Sequence, residues 1–119
     1  ESPYEMEFNQ DIGMWDTSSL LTIGSMFWNC VKFNQPLNDW DVSRVESMFA
    51  VFEGCASFNQ PLNKWNVSNV KEMILMFSGC ESFEQDLSSW KLRNDCCFED
   101  MFEDAKITFE MAFGRKEPN

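Results

Sequence analysis

Three cysteines recur at a single spacing: Cys30, Cys55 and Cys80 stand 25 residues apart. Thiols in a row raise two kinds of chemistry, disulfide pairing and metal binding. A disulfide demands strict backbone placement and torsion, and zinc demands a tetrahedron. A straight column supplies neither. The odd total of 5 cysteines completes no disulfide framework, and with His 0 no imidazole completes a zinc set. The column reads as small, buried, reduced thiols. Cys96 and Cys97 are adjacent, without the C-x-x-C spacing of a redox pair, and are predicted to point one inward and one outward. Glu99, Asp100, Glu103 and Asp104 gather carboxylates, but the calcium-loop pattern is missing, so they read as a solvated helix face. Without histidine the usual general base and every Ser-His or Cys-His pair are absent. The chain is predicted to be no enzyme and to hold no cofactor and no metal.

Charge narrows the partners. Lys+Arg 9 against Asp+Glu 20 gives a net charge of -11. Phosphate-backbone binding rests on Lys and Arg, so nucleic acid is excluded and a protein partner is expected. The chain has no apolar run of about 18 residues, so membrane association is expected only through a partner. One surface is polar in an ordered way. Asp16, Asp39 and Asp41 lie on the early side of the chain, with Lys64, Asn66, Lys91 and Arg93 later. These residues flank buried positions and form the candidate binding face, with a charge that changes sign along the chain. Asn66-Val67-Ser68 fits a glycosylation sequon, but its mid-strand position makes it part of a repeated motif.

That motif has a period of 25 residues. Phe8, Phe33, Phe58 and Phe83 open four copies, and Trp15, Trp40, Trp65 and Trp90 follow in step. Residues 33–57 and 58–82 are identical at 15 of 25 positions. The repeats are 8–32, 33–57, 58–82 and 83–107, preceded by a lead-in, 1–7, and followed by a helical cap and tail, 108–119. Together they make one domain of 119 residues.

Trp40 and Val42 lie two apart and share a face on a strand. Val45, Met48, Phe52 and Cys55 are spaced as one stripe of a helix, with Ser43 placed as its N-cap and Gly54 and Gly79 at helix ends. One strand and one short helix per copy predict an α/β solenoid. Parallel strands would line one face and short helices the other, over about four 25-residue repeats. The tryptophans and cysteines form its structural ladder. Phe98 to Phe113 keep a helical spacing, which predicts a longer terminal helix ending near Gly114.

The run Leu37-x-x-Trp40-x-Val42-Ser43-x-Val45-x-x-Met48-x-x-x-Phe52-x-x-Cys55-x-x-Phe58-Asn59-Gln60-Pro61-Leu62 resembles the repeat of the BspA-like leucine-rich-repeat surface proteins. Copies two and three match closely. Copy one is looser at Thr17 and Leu20, and copy four departs at Glu84, Lys91, Asp95 and Ala105. The resemblance implies a leucine-rich-repeat-like fold and a binding role at the cell surface, since bacterial members are often adhesins. The expected function is a non-catalytic, adhesin-like protein–protein interaction module. The alternative is a peripheral accessory subunit of a larger assembly, such as a membrane complex of an alga or another unicellular eukaryote, in an organelle or bound in that complex.

Overall fold

The stripe Val45, Met48, Phe52 and Cys55 does not wind into a helix. In the computed structural model, which describes residues 4–118, the segment is a run of tight turns. Every second amide closes a turn on itself: Val51 donates to Met48, Glu53 to Ala50 and Cys55 to Phe52. The amides between them leave sideways for the segment 24 residues on. Met48 donates to the Glu72 carbonyl at 2.8 Å, Ala50 to Ile74 at 2.9 Å, Phe52 to Met76 at 3.0 Å and Gly54 to Ser78 at 2.8 Å. Residues 23–29 and 73–79 do the same onto their own neighbours. An α-helix would spend all these amides along its own axis. The turn run satisfies them too, and ties adjacent segments together.

The turn run needs left-handed residues at fixed places. Ala50 (φ 54) and Gly54 (φ 77) take the third position of their turns, as type II geometry requires. Ser25, Asn29, Leu75, Gly79, Asp100 and Asp104 repeat this in the other segments. A non-glycine residue pays about 1–2 kcal/mol for that conformation. Cross-segment hydrogen bonds at about 1 kcal/mol each offset it, as does the burial of Phe27, Phe52 and Phe77.

The predicted strands are also replaced. Trp40 and Val42 are buried and Asp41 between them is exposed, as a strand would have them. However, turns close on both sides, with Trp40 donating to Leu37 and Val45 to Val42. Parallel pairing is confined to isolated bridges, Thr22 to Ser47, Ser47 to Glu72, Glu72 to Cys97, and Met6 to Cys30. The expected leucine-rich-repeat-like α/β solenoid is therefore corrected. Among the described residues there is no sheet, no layer of helices, and a single helix of five residues. The sequence period does not become a repeating strand–helix unit, because sideways amides and side chains join the segments where strand ladders would have done so. Ser43 caps no helix; its N–H and hydroxyl both donate to Asp41 Oδ1. The lead-in residues 1–3 and Asn119 of the tail lie outside the described residues.

Aromatic columns fill the core. Phe27 stacks on Phe52, Phe52 on Phe77 and Phe77 on Phe102, with centroids 5.4–5.7 Å apart. Phe8, Phe33, Phe58 and Phe83 form a second column, joined to the first by closer contacts such as Phe52 to Phe58 at 4.2 Å. Buried indoles bridge segments: Trp40, Trp65 and Trp90 donate through Nε1 to the carbonyls of Ile12, Leu37 and Leu62. The Phe-Asn-Gln runs have a structural use as well. The Asn34 side-chain oxygen accepts the backbone N–H of Asn59 at 2.9 Å and the Gln60 amide at 3.1 Å; Asn9 and Asn59 do the same for their next segments. Glu84 ends this series and pairs with Lys106 instead.

Helix α1, Phe109–Phe113, closes the late end. Thr108 caps it by accepting from Met111 N, and Gly114 (φ 68) terminates it with its N–H on Glu110 O. It is far shorter than the predicted terminal helix, because residues 99–104 are committed to the turn run. Phe113 meets Trp90 edge-on at 6.1 Å, Ala112 O accepts from Leu87 N, and Arg115 donates to Trp90 O.

Gly54 tests the turn run. A methyl group there would meet the Asn29 side-chain oxygen, on a left-handed backbone. Gly79 (φ 73) has nothing closer than 3.5 Å. Gly54→Ala is expected to cost more than the roughly 1–2 kcal/mol of conformational strain alone, and Gly79→Ala about that amount. Asn29→Gly should return the excess in Gly54→Ala. Equal denaturation midpoints for the two alanine variants would refute this account.

Candidate functional site

The predicted charged face is at the surface but much of its charge is already engaged. Asp16, Asp39, Asp41, Lys64, Asn66 and Lys91 are exposed, and Arg93 is half-buried. Asp16 and Asp41 each close a small loop, accepting from the hydroxyl and N–H of Ser18 and Ser43. Those hydroxyl and amide bonds hold both carboxyls below the ordinary carboxylate range. Asn66 accepts from Ser68 N in the same way. Lys64 pairs with Asp39 at 3.3 Å, and Arg93 forms a two-point contact with Asp95 at 2.8 and 3.0 Å. The change of sign along the chain is thus bridged in the middle by Lys64 and Asp39.

The thiol column lies in the core. Cys30, Cys55 and Cys80 are buried and free, and the Cys55 and Cys80 thiols donate to the carbonyls of Phe27 and Phe52 at 3.0 Å. Cys96 is buried and Cys97 exposed. Glu99, Asp100, Glu103 and Asp104 are exposed, on a turn run and not on the expected helix. Repulsion from Asp100 raises the Glu103 carboxyl above its usual range. Among the described residues no group of three or more Cys, Asp or Glu side chains is placed to hold a metal.

The tryptophan column is uneven. Trp40, Trp65 and Trp90 are buried, but Trp15 is 57% exposed, against the expectation of a uniformly buried ladder. It stacks on Trp40 at 6.4 Å. Residues 8–32 carry more exposed large apolar side chains than the two copies that follow. Met14 is 92% exposed, Leu21 60% and Trp28 38%. Phe8 and Met26 add to it, and Tyr4 and Met6 of the lead-in lie beside it in sequence. The late end, by contrast, is covered by α1.

A family model described as "Mycoplasma protein of unknown function, DUF285" matches residues 2–112. The chain belongs to the DUF285 family. No curated protein and no solved structure matches it significantly. No helix among the described residues of this DUF285 chain is long and apolar enough to cross a membrane.

Leu21 and Trp28 of this DUF285 chain are ones that sequence reasoning passed over, and it placed Met14 on the outward face only as a flanking position, although the period marks all three. Met14 stands where later copies have Asp39 and Lys64. Leu21 stands where they have Glu46 and Lys71, and Trp28 where they have Glu53 and Ser78. Three outward positions are therefore polar in copies two and three and apolar in copy one. Comparing copies for what differs, and not only for what recurs, would have found them.

Proposed function

We propose that this chain is a non-catalytic protein–protein interaction module that binds through the apolar surface of residues 8–32. The observation that carries the reading is the replacement of outward polar residues by Met14, Leu21 and Trp28. Core columns explain an apolar residue that is buried; they do not explain one at a solvent position. Exposed apolar clusters mark interaction sites, and aromatic residues and Met are enriched in interfaces. The chain's lack of histidine supports a non-catalytic role, and the likeness of its repeats to BspA-like surface proteins supports binding at a cell surface.

A second reading is an accessory subunit seated permanently in a larger assembly. The exposed Met14, Leu21 and Trp28 favour it as well, since a permanent neighbour would keep them covered. Affinity purification from the native source separates the two, because a permanent subunit comes down with its neighbours in fixed stoichiometry.

The test exchanges each apolar residue for its counterpart in copy two, as Met14→Asp, Leu21→Glu and Trp28→Glu. The triple variant should fold and lose its native partner in purification. A companion variant carries Asp39→Lys and Lys91→Glu on the charged face and should keep the partner. If the triple variant retains the partner and the charge variant loses it, binding belongs to the charged face.

A further inference from the structure

Asn66-Val67-Ser68 is the one Asn-x-Ser/Thr triplet of the sequence. The strand expected there would have tied it into a ladder and kept it from modification. The structure places it instead in an exposed bend between two turns. Trp65 N closes one turn on Leu62 O, and Val70 N closes the next on Val67 O. Val67 is buried and anchors the bend, while Asn66 and Ser68 on either side of it are exposed.

The same bend in the two earlier copies is engaged differently. Asp16 and Asp41 accept the hydroxyls of Ser18 and Ser43 at 2.7 and 2.6 Å as well as their N–H groups. Asn66 Oδ1 accepts only the Ser68 N–H, at 3.0 Å. Its neutral oxygen is a weaker acceptor than a carboxylate. That single bond is an Asx turn, which fixes the side-chain amide with its oxygen toward the backbone and its nitrogen away from it. Among the described residues neither Asn66 Nδ2 nor the Ser68 hydroxyl has a hydrogen-bond partner. The two groups that define the triplet are therefore both exposed and both unengaged.

Resting on the reading of the chain as a binding module at a cell surface, we propose that Asn66 is a modification site that carries an N-linked glycan. The donor is an oligosaccharide linked to a lipid through pyrophosphate. Asn66 Nδ2 forms a bond to the anomeric carbon of the first sugar and gives up one proton. The bond from that carbon to the pyrophosphate oxygen breaks, and the lipid pyrophosphate leaves with the electron pair. The Ser68 hydroxyl, two residues on, is the group by which the transferase recognises the acceptor. Asp41 and Lys91 hold the place of Asn66 in the adjacent copies. A glycan at Asn66 thus stands in the middle of the charged face and shields it, and leaves the apolar surface of residues 8–32 for the protein partner.

The test uses the protein purified from its native source. Peptide-N-glycosidase in heavy-oxygen water converts a glycosylated asparagine into an aspartate that carries the isotope. Mass spectrometry of the tryptic peptide 65–71 should find that label at Asn66. Variants expressed in the native host should separate the acceptor from the turn. Asn66→Asp should lose the glycan and still fold, because Asp41 makes the same turn. Ser68→Ala should lose the glycan as well, and Ser68→Thr should keep it. An unlabelled Asn66 in the native protein, or a Ser68→Ala protein glycosylated as fully as the parent, would overturn the assignment. If Asn66 is bare while the triple variant above still loses its native partner, the interaction reading stands and only the glycan falls.

Discussion

Trp65→Ala should lower stability by about 3–5 kcal/mol, the range for removing a large core aromatic, and Tm by about 10 °C or more in a chain of this size. Trp65 is 3% exposed, and its ring lies 6.2 Å from Phe52 and 6.3 Å from Trp90. Its indole N–H also satisfies Leu37 O. Truncation leaves a void between segments and removes the donor from a buried carbonyl, and both effects act in the same direction. Trp15→Ala is the internal comparison, because the same residue type at the same place in the period is exposed there; about 1 kcal/mol or less is expected. Thermal and urea unfolding of the two variants decide the matter. A Trp65→Ala Tm within a couple of degrees of the parent, or equal losses for both variants, would sink the buried-column account.

Thiol chemistry gives the second large effect. Burial pushes the Cys80 thiol up to about 12 from an ordinary 9.0. Burial first, and then the neighbouring Cys80 and Cys30, raise Cys55 as well. Burial likewise raises Cys30, and it carries Cys96 to about 11. At pH 8 this leaves Cys80 with about a thousandfold less thiolate than an ordinary thiol, and the thiolate is the reactive form. In the native protein a thiol reagent should therefore titrate Cys97 quickly and the other four only after denaturant is added. Detection of a Cys30–Cys55 or Cys55–Cys80 disulfide in protein prepared without oxidant would overturn this.

The same shifts set a dependence on alkali. Below pH 9 the folded and unfolded chains both keep these protons, and the thiols' full contribution is present. Between pH 9 and about 12 the unfolded chain releases protons that the folded chain retains, so stability falls as pH rises, by up to about 1.4 kcal/mol per pH unit for each thiol. Cys55→Ala with Cys80→Ala should flatten that slope. An unchanged slope in the double variant would assign alkaline unfolding to other groups.

What the sequence by itself determined is the period and the composition of the core. Phe33, Leu37, Trp40, Val42, Met48, Phe52 and Cys55 are recognised as buried from their recurrence alone, and Asp39 and Asp41 as exposed. Hydrophobic recurrence reports burial, and burial is a property of side chains that survives a change of backbone path. The backbone path was decided only by the tertiary structure. Met48, Phe52 and Cys55 have the spacing of a helix stripe, and a run of type II-like turns buries the same three residues. The choice between the two depends on where the alternate amides go. In a lone segment they would close a helix; against a neighbour 24 residues on they find carbonyls at 2.8–3.0 Å. Gly54 and Gly79 permit the left-handed positions, but Ala50 and Leu75 accept them only because the neighbour is there. Trp15 makes the same point for the candidate site. Its residue type and register match those of Trp65, but among the described residues only Trp40 of the later copy stacks on it.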